Sequence, residues 1–170
     1  MNLLKTHNLR IVNQDFLLKY LSRTPNILPK FTKLTLSVKF NDDNKSSGVS
    51  LIELLTFQRP YLTQTKINSL SLNLRKGDLV GCKIVLRKKA LYNFLDRFLF
   101  EILPSSKELK VLRRTKRSIH WQLRDVFALE DTNTLFIILN NVYGLDIDIE
   151  ASIENSNFFI GFRLPLGSML

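Results

Sequence analysis

Hydrophobic and polar positions alternate most cleanly between Phe31 and Phe40. Leu34, Leu36, Val38 and Phe40 fall on one side, and Lys33, Thr35, Ser37 and Lys39 on the other. A period of two predicts a half-buried strand whose outer face is basic. A second alternation, Leu145, Ile147 and Ile149 against Asp146, Asp148 and Glu150, predicts a strand with an acidic outer face. Strands are also expected at Tyr61–Lys66, Leu79–Arg87 and Ile119–Leu129. Leu70, Leu72 and Leu74 alternate with Ser71, Asn73 and Arg75, and Lys76-Gly77-Asp78 supplies a turn. Residues 68–87 therefore read as a hairpin or an extended protruding loop, with 68–79 as its projecting part.

The period lengthens elsewhere. Leu91, Phe94, Leu95, Phe98, Leu99 and Ile102 form a stripe at helical spacing over Ala90–Leu103, ahead of Pro104. Ser50 and Glu53 have capping-box spacing and predict a short helix carrying Ile52, Leu54 and Leu55, after a loop over 41–48. Near the start, Phe16, Leu17, Tyr20 and Leu21 fit one helix face, with Asn13 as candidate N-cap, before Thr24-Pro25-Asn26 stops it. Met1–Arg23 is also basic, with Asp15 its one acid, so a targeting presequence is the competing reading. Leu135–Leu139 is apolar and fits a helix end or a short strand. Ile153–Phe162 reads as a short helix, closed by Pro165. The order predicts an α+β fold: a mostly antiparallel or mixed sheet packed against helices, with an extended hairpin loop. At 170 residues the chain is read as a single domain, 1–170.

Charge changes the picture more than composition does. The net charge is +10, which points to an anionic partner, nucleic acid first. Residues 1–125 hold 24 Lys and Arg against 9 Asp and Glu, whereas residues 126–170 hold Arg163 against six acids. The anion-binding surface is therefore expected in the first three quarters of the chain. Within it, 107–117 carries six cations: Lys107, Lys110, Arg113, Arg114, Lys116 and Arg117. No apolar run approaches the roughly 18 residues of a membrane span.

Catalytic chemistry finds little support. The single cysteine, Cys82, lies in an apolar strand and reads as a buried, inert thiol. With only His7 and His120 beside it, no zinc set is implied. Gly77 and Gly81 stand alone, outside any phosphate-cradling loop. The Asp146, Asp148, Glu150 stripe is one candidate for a metal-dependent nuclease or nucleotidyl enzyme. Its plainer reading is a solvated edge, or a face that pairs with the basic half of the chain. No cofactor is implied.

The stretch Phe57-Gln58-Arg59-Pro60-Tyr61-Leu62-Thr63-Gln64-Thr65-Lys66, the stretch Leu74-Arg75-Lys76-Gly77-Asp78-Leu79-Val80-Gly81-Cys82-Lys83-Ile84-Val85-Leu86-Arg87 and Tyr92-Asn93-Phe94-Leu95-Asp96-Arg97 resemble the large-subunit ribosomal protein L-five family. That family binds 5S ribosomal RNA in the central protuberance. Leu28-Pro29-Lys30, Lys33–Val38 and Tyr143–Ile149 extend the likeness at lower density. The family's N-terminal helix would then occupy Met1–Arg23, against the presequence reading.

The resemblance implies a structural, non-enzymatic role. A polar cluster that binds 5S RNA falls here on Ser37, Gln58 and Val85. The valine lacks the hydroxyl usual at its position, and Lys39 and Phe40 replace glycines. Whether a 5S RNA is bound is left open, with large-subunit rRNA as the other docking partner. Lys33, Thr63, Lys66, Lys83 and Arg87 are the implied rRNA contacts. Asn73, Arg75, Lys76 and Gly77 fall on the family's hairpin, which reaches P-site tRNA and large rRNA. Arg113, Arg114, Lys116 and Arg117 fall on a basic loop facing the small-subunit head. The implied partners are these RNAs and neighbouring proteins of the protuberance and the small-subunit head. The departures from pattern, with only three alanines in the chain, favour a mitochondrial ribosome over a plastid or bacterial one.

Overall fold

The computed structural model describes residues 3–20, 28, 30–40, 44–70, 73–105, 109–115, 117–124, 142 and 144–152. The expectations for 24–26, 125–129, 135–139 and 153–162, and for Lys107 and Lys116, lie outside them.

Among the described residues six strands form one sheet: β1 (Phe31–Lys39), β2 (Tyr61–Gln64), β3 (Leu79–Leu86), β4 (Leu109–Arg114), β5 (Ser118–Leu123) and β6 (Leu145–Ala151). Their spatial order is β2-β3-β1-β6-β5-β4, and every neighbouring pair is antiparallel. The fold is α+β. The alternation in the sequence explains which face is buried. Leu34, Leu36 and Val38 of β1, Ile84 and Leu86 of β3, Ile119, Trp121 and Leu123 of β5, and Leu145, Ile147 and Ile149 of β6 are all buried. They face helices α3 (Lys45–Thr56) and α4 (Lys88–Arg97). Helix α4 continues through a π turn, Phe98–Ile102, into α5 (Leu103–Ser105). Leu91, Phe94, Leu95, Phe98 and Ile102 are buried along it, as the helical stripe predicts. Phe98 packs on Trp121 with ring centroids 5.4 Å apart, so this long helix covers the far half of the sheet as well as the near half.

Several elements differ from their sequence readings, each for a physical reason. Helix α3 begins at Lys45 behind Asn44 and not at Ser50. The Ser46-Ser47-Gly48 run reads as a loop by composition but forms its first turn. A Cβ at Gly48 would lie 2.6 Å from the Phe40 ring, so the glycine permits close packing of helix on strand. Asn13 is not an N-cap, because helical backbone runs directly into it. The N-terminal segment is continuous: α1 (Leu3–His7), a π turn (Asn8–Val12) and α2 (Asn13–Tyr20). Asn13 is buried within it.

Strand β3 pairs with β2 on one side and β1 on the other. Among the described residues it does not pair with Leu70, Asn73 or Leu74. Residues 65–78 are the connection between β2 and β3, and within it Ser69 and Leu74 form a single bridge. Within the basic run after α5, Leu109–Arg114 form a strand, β4, at the end of the described sheet and not a loop, because Leu109, Val111 and their neighbours pair with β5. The acidic strand β6 is interior, between β1 and β5, so its carboxylates do not form a solvated edge.

Candidate nucleic-acid interface

The face of the sheet opposite the helices carries the polar half of every alternation. Antiparallel register arranges these side chains in rows across the strands. One row runs Tyr61, Lys83, Ser37, Asp146, Gln122, Lys110, with one residue from each strand. The next runs Val85, Thr35, Asp148, His120, Arg113. A third joins Lys33, Glu150 and Ser118.

These rows divide the cations into two groups. Those beside β6 are matched by its acids. Lys33 Nζ lies 2.9 Å from Glu150 Oε1, and Lys39 Nζ lies 3.6 Å from Asp146 Oδ2. Asp148 sits opposite both Thr35 and His120. Burial pushes its carboxyl above the ordinary carboxylate range, and Glu150 adds to that. His120, Lys33 and Arg113 pull it back. The acidic stripe is thus an ion-pairing face held against β1, as one of the two plainer sequence readings has it.

The second group lies toward the β2 edge. Between Arg59 and Lys89 the chain has eight cations and one acid, Asp78. Lys66, Lys83 and Arg87 are exposed, and among the described residues none of them forms an ion pair. Asp78 is committed to its own loop: its carboxylate accepts from the Arg75 amide at 2.7 Å. The 65–78 connection is ordered by further bonds of this kind. The Lys76 amide donates to Asn68 Oδ1 at 2.7 Å, and the Gly77 amide to the Thr65 carbonyl at 3.0 Å. The Thr65 hydroxyl donates to the Arg75 carbonyl. Gly77 takes φ +99°, which a side chain would resist. The backbone bonds leave Asn73, Arg75 and Lys76 exposed on the loop.

The implied polar cluster is only partly assembled. Ser37 and Lys83 share one cross-strand row, and Thr63 lies opposite Gly81. Val85 is one register step away from Lys83 on the same face and presents methyl groups. Gln58 lies elsewhere, in a cleft formed by the end of α3, α4 and Leu86. On the distant edge, Arg113 and Arg114 belong to β4. Arg117 is exposed in the β4–β5 turn, which closes through Thr115 and Ser118.

Residues that the sequence reading passed over are Tyr61, which heads the longest row, and Phe57, which is 85% exposed beside Gln58. An exposed aromatic within a basic run was the signal available for both. Cys82 is buried as expected, and burial pushes its thiol up to about 11, far from a nucleophile's range.

No family model matches the chain. Its sequence is 25% identical to the large ribosomal subunit protein uL5m of Reclinomonas americana, over 98% of both chains. It is 36% identical to the large ribosomal subunit protein uL5 of Neorickettsia sennetsu, over 51% of this chain and 52% of that one. A 31% match to uL5 of Vesicomyosocius okutanii likewise spans 54% of each. The chain is thus similar to large-subunit ribosomal proteins of the uL5 kind, mitochondrial and bacterial. Similarity to the first relative runs end to end at low identity, whereas similarity to the other two is confined to about half the chain. Among the described residues no helix is long and apolar enough to cross a membrane.

Proposed function

We propose that this protein is a uL5-family structural constituent of the large subunit of the mitochondrial ribosome, docked on ribosomal RNA by the limb made of β2, β3 and the connection between them. The observation that carries the docking surface is the run of eight cations against one acid between Arg59 and Lys89, with that acid already accepting from the Arg75 amide. Such a surface neutralises phosphates without reading sequence. Lys66, Lys83 and Arg87 serve as backbone contacts in this reading, with Thr63 and Ser37 as hydrogen-bonding partners. Lys33 contributes less, because Glu150 already holds it.

The finer assignments extend the same reading. The exposed loop bearing Asn73, Arg75, Lys76 and Gly77 reaches toward P-site tRNA and the large rRNA from the central protuberance. The opposite edge, with Arg113, Arg114 and Arg117, faces the small-subunit head, and Lys116 belongs to the same basic run in the sequence. The protein works in the mitochondrial matrix and performs no chemistry of its own. Binding of a 5S RNA would proceed without the hydroxyl that Val85 lacks. The nuclease alternative has no support: Asp146 and Glu150 are paired to lysines, Asp148 faces His120, and among the described residues no metal-holding cluster of three gathers.

Crosslinking the tagged protein in purified mitochondrial ribosomes, followed by sequencing of the attached RNA, tests the proposal. Reads in large-subunit rRNA are expected, and reads in a 5S-like RNA would add that partner. Absence of rRNA reads, with no sedimentation alongside the large subunit at moderate salt, would overturn it.

A further inference from the structure

Helix α3 ends on Phe57, whose amide donates to the Glu53 carbonyl at 2.7 Å. The residue takes φ +53° and ψ +29°. This is the left-handed cap position where glycine is the default, and a bulky side chain there is disfavoured. The ring gains no compensating burial, since it is 85% exposed. An aromatic kept in an unfavourable backbone state and turned to solvent calls for a use outside the chain's own packing.

The surroundings suggest that use. Phe57 lines an open cleft of about 600 Å³ between the end of α3 and α4. Leu86, Ala90 and Phe94 give it an apolar wall, and Gln58 and Asn93 bring two side-chain amides. Asp96 and Arg97 also line it, one charge of each sign. In the chain, Arg59 follows the lining residue Gln58, and Arg87, Lys88 and Lys89 join Leu86 to Ala90, all four exposed. Apolar walls, an aromatic face and amides are what an unstacked base needs: a surface for each ring face and partners for its Watson–Crick edge. The cations suit the phosphates on either side of it.

We infer that this cleft receives a nucleobase splayed out of an RNA loop, stacked on Phe57 and hydrogen-bonded by Gln58 and Asn93. The inference rests on the rRNA-docking reading and deepens it. The limb then engages a single-stranded loop or bulge, and not only the shape of a duplex. Charge favours RNA over a protein segment as occupant, because a peptide fitting the same wall would gain nothing from four cations unless it were acidic.

The test compares two RNAs in fluorescence anisotropy at one fixed salt concentration: a hairpin with a randomised loop of about six nucleotides, and a perfect duplex of equal length. The full-length protein should bind the hairpin at least about tenfold tighter. In Phe57→Gly the ratio of the two affinities should fall to near one, and Asn93→Ala should lower it part-way. Loss of folding cannot mimic this result, because glycine relieves the left-handed backbone and should raise Tm by about 2–4 °C. A preference that survives Phe57→Gly, or equal wild-type binding of both RNAs, overturns the cleft while leaving RNA docking intact. Wild-type protein that binds neither RNA overturns the docking reading itself. Weakened capture of an acidic peptide, with RNA binding unchanged in Phe57→Gly, assigns the cleft to protein and also overturns the inference.

Discussion

Asp148 shows how one residue's setting follows from its neighbours. Its carboxyl lies in the interior strand, flanked by Thr35 and His120, and burial holds its pKa above the ordinary range. The folded state therefore binds a proton more tightly than the unfolded chain does. Between the ordinary carboxylate pKa of about 4 and the raised value, stability falls as pH rises, and above that window the penalty is fully present. Asp148→Asn removes the charge and keeps the shape. Its Tm should exceed that of the wild type near neutral pH and converge with it below about pH 4. Thermal melts across that range check this. A lower Tm for the variant near neutral pH would mean that attraction to His120, Lys33 and Arg113 outweighs burial.

Strand β3 is the element on which the candidate interface depends. It joins β2 to the rest of the sheet, and Lys83 projects from its polar face. At Gly81 an added Cβ would lie 2.5 Å from the Val38 carbonyl oxygen and 3.2 Å from Thr63 Oγ1. Backbone cannot give way as a flexible side chain would. Gly81→Ala should therefore destabilise the protein by about 1–3 kcal/mol, measured by denaturant unfolding. It should also loosen the β2 edge. Pairing explains why this was only half legible beforehand. The sequence marks β3 as a strand, whereas its partner β2 lies across a connection of more than ten residues that carries its own apolar alternation. Leu70 in that connection is 95% exposed and Leu74 only half-buried, so apolar alternation there does not mark a core-facing strand. The same ambiguity turned the 109–114 strand into an apparent loop: charge density marks solvent exposure, and an edge strand is exposed on one side by construction.

For the whole molecule, the sheet order decides which charges are available. Acids of the last strand meet lysines of the first, and the excess of positive charge is displaced to the β2–β3 limb. Binding to rRNA should therefore depend steeply on salt. Lys83→Ala and Arg87→Ala should each reduce the slope of log K against log salt by about 1. Lys33→Ala should change it less, since that ammonium lies 2.9 Å from Glu150. Titrations of a large-subunit rRNA fragment at several salt concentrations measure all three. Equal slopes for Lys33→Ala and Lys83→Ala would contradict the division of the surface into paired and unpaired cations.

The sequence by itself determined the fold class, the buried face of β1 and β6, the long helix after β3, the inert cysteine and the family resemblance. Each of these rests on local periodicity or on a contiguous motif, which a chain states openly. Only the tertiary structure decided that Glu150 neutralises Lys33, that Tyr61, Lys83 and Ser37 share a row, and that Phe57 stands over a cleft with Asn93. Those relations join residues far apart in the chain, and they are set by strand register and helix packing, which no local pattern encodes.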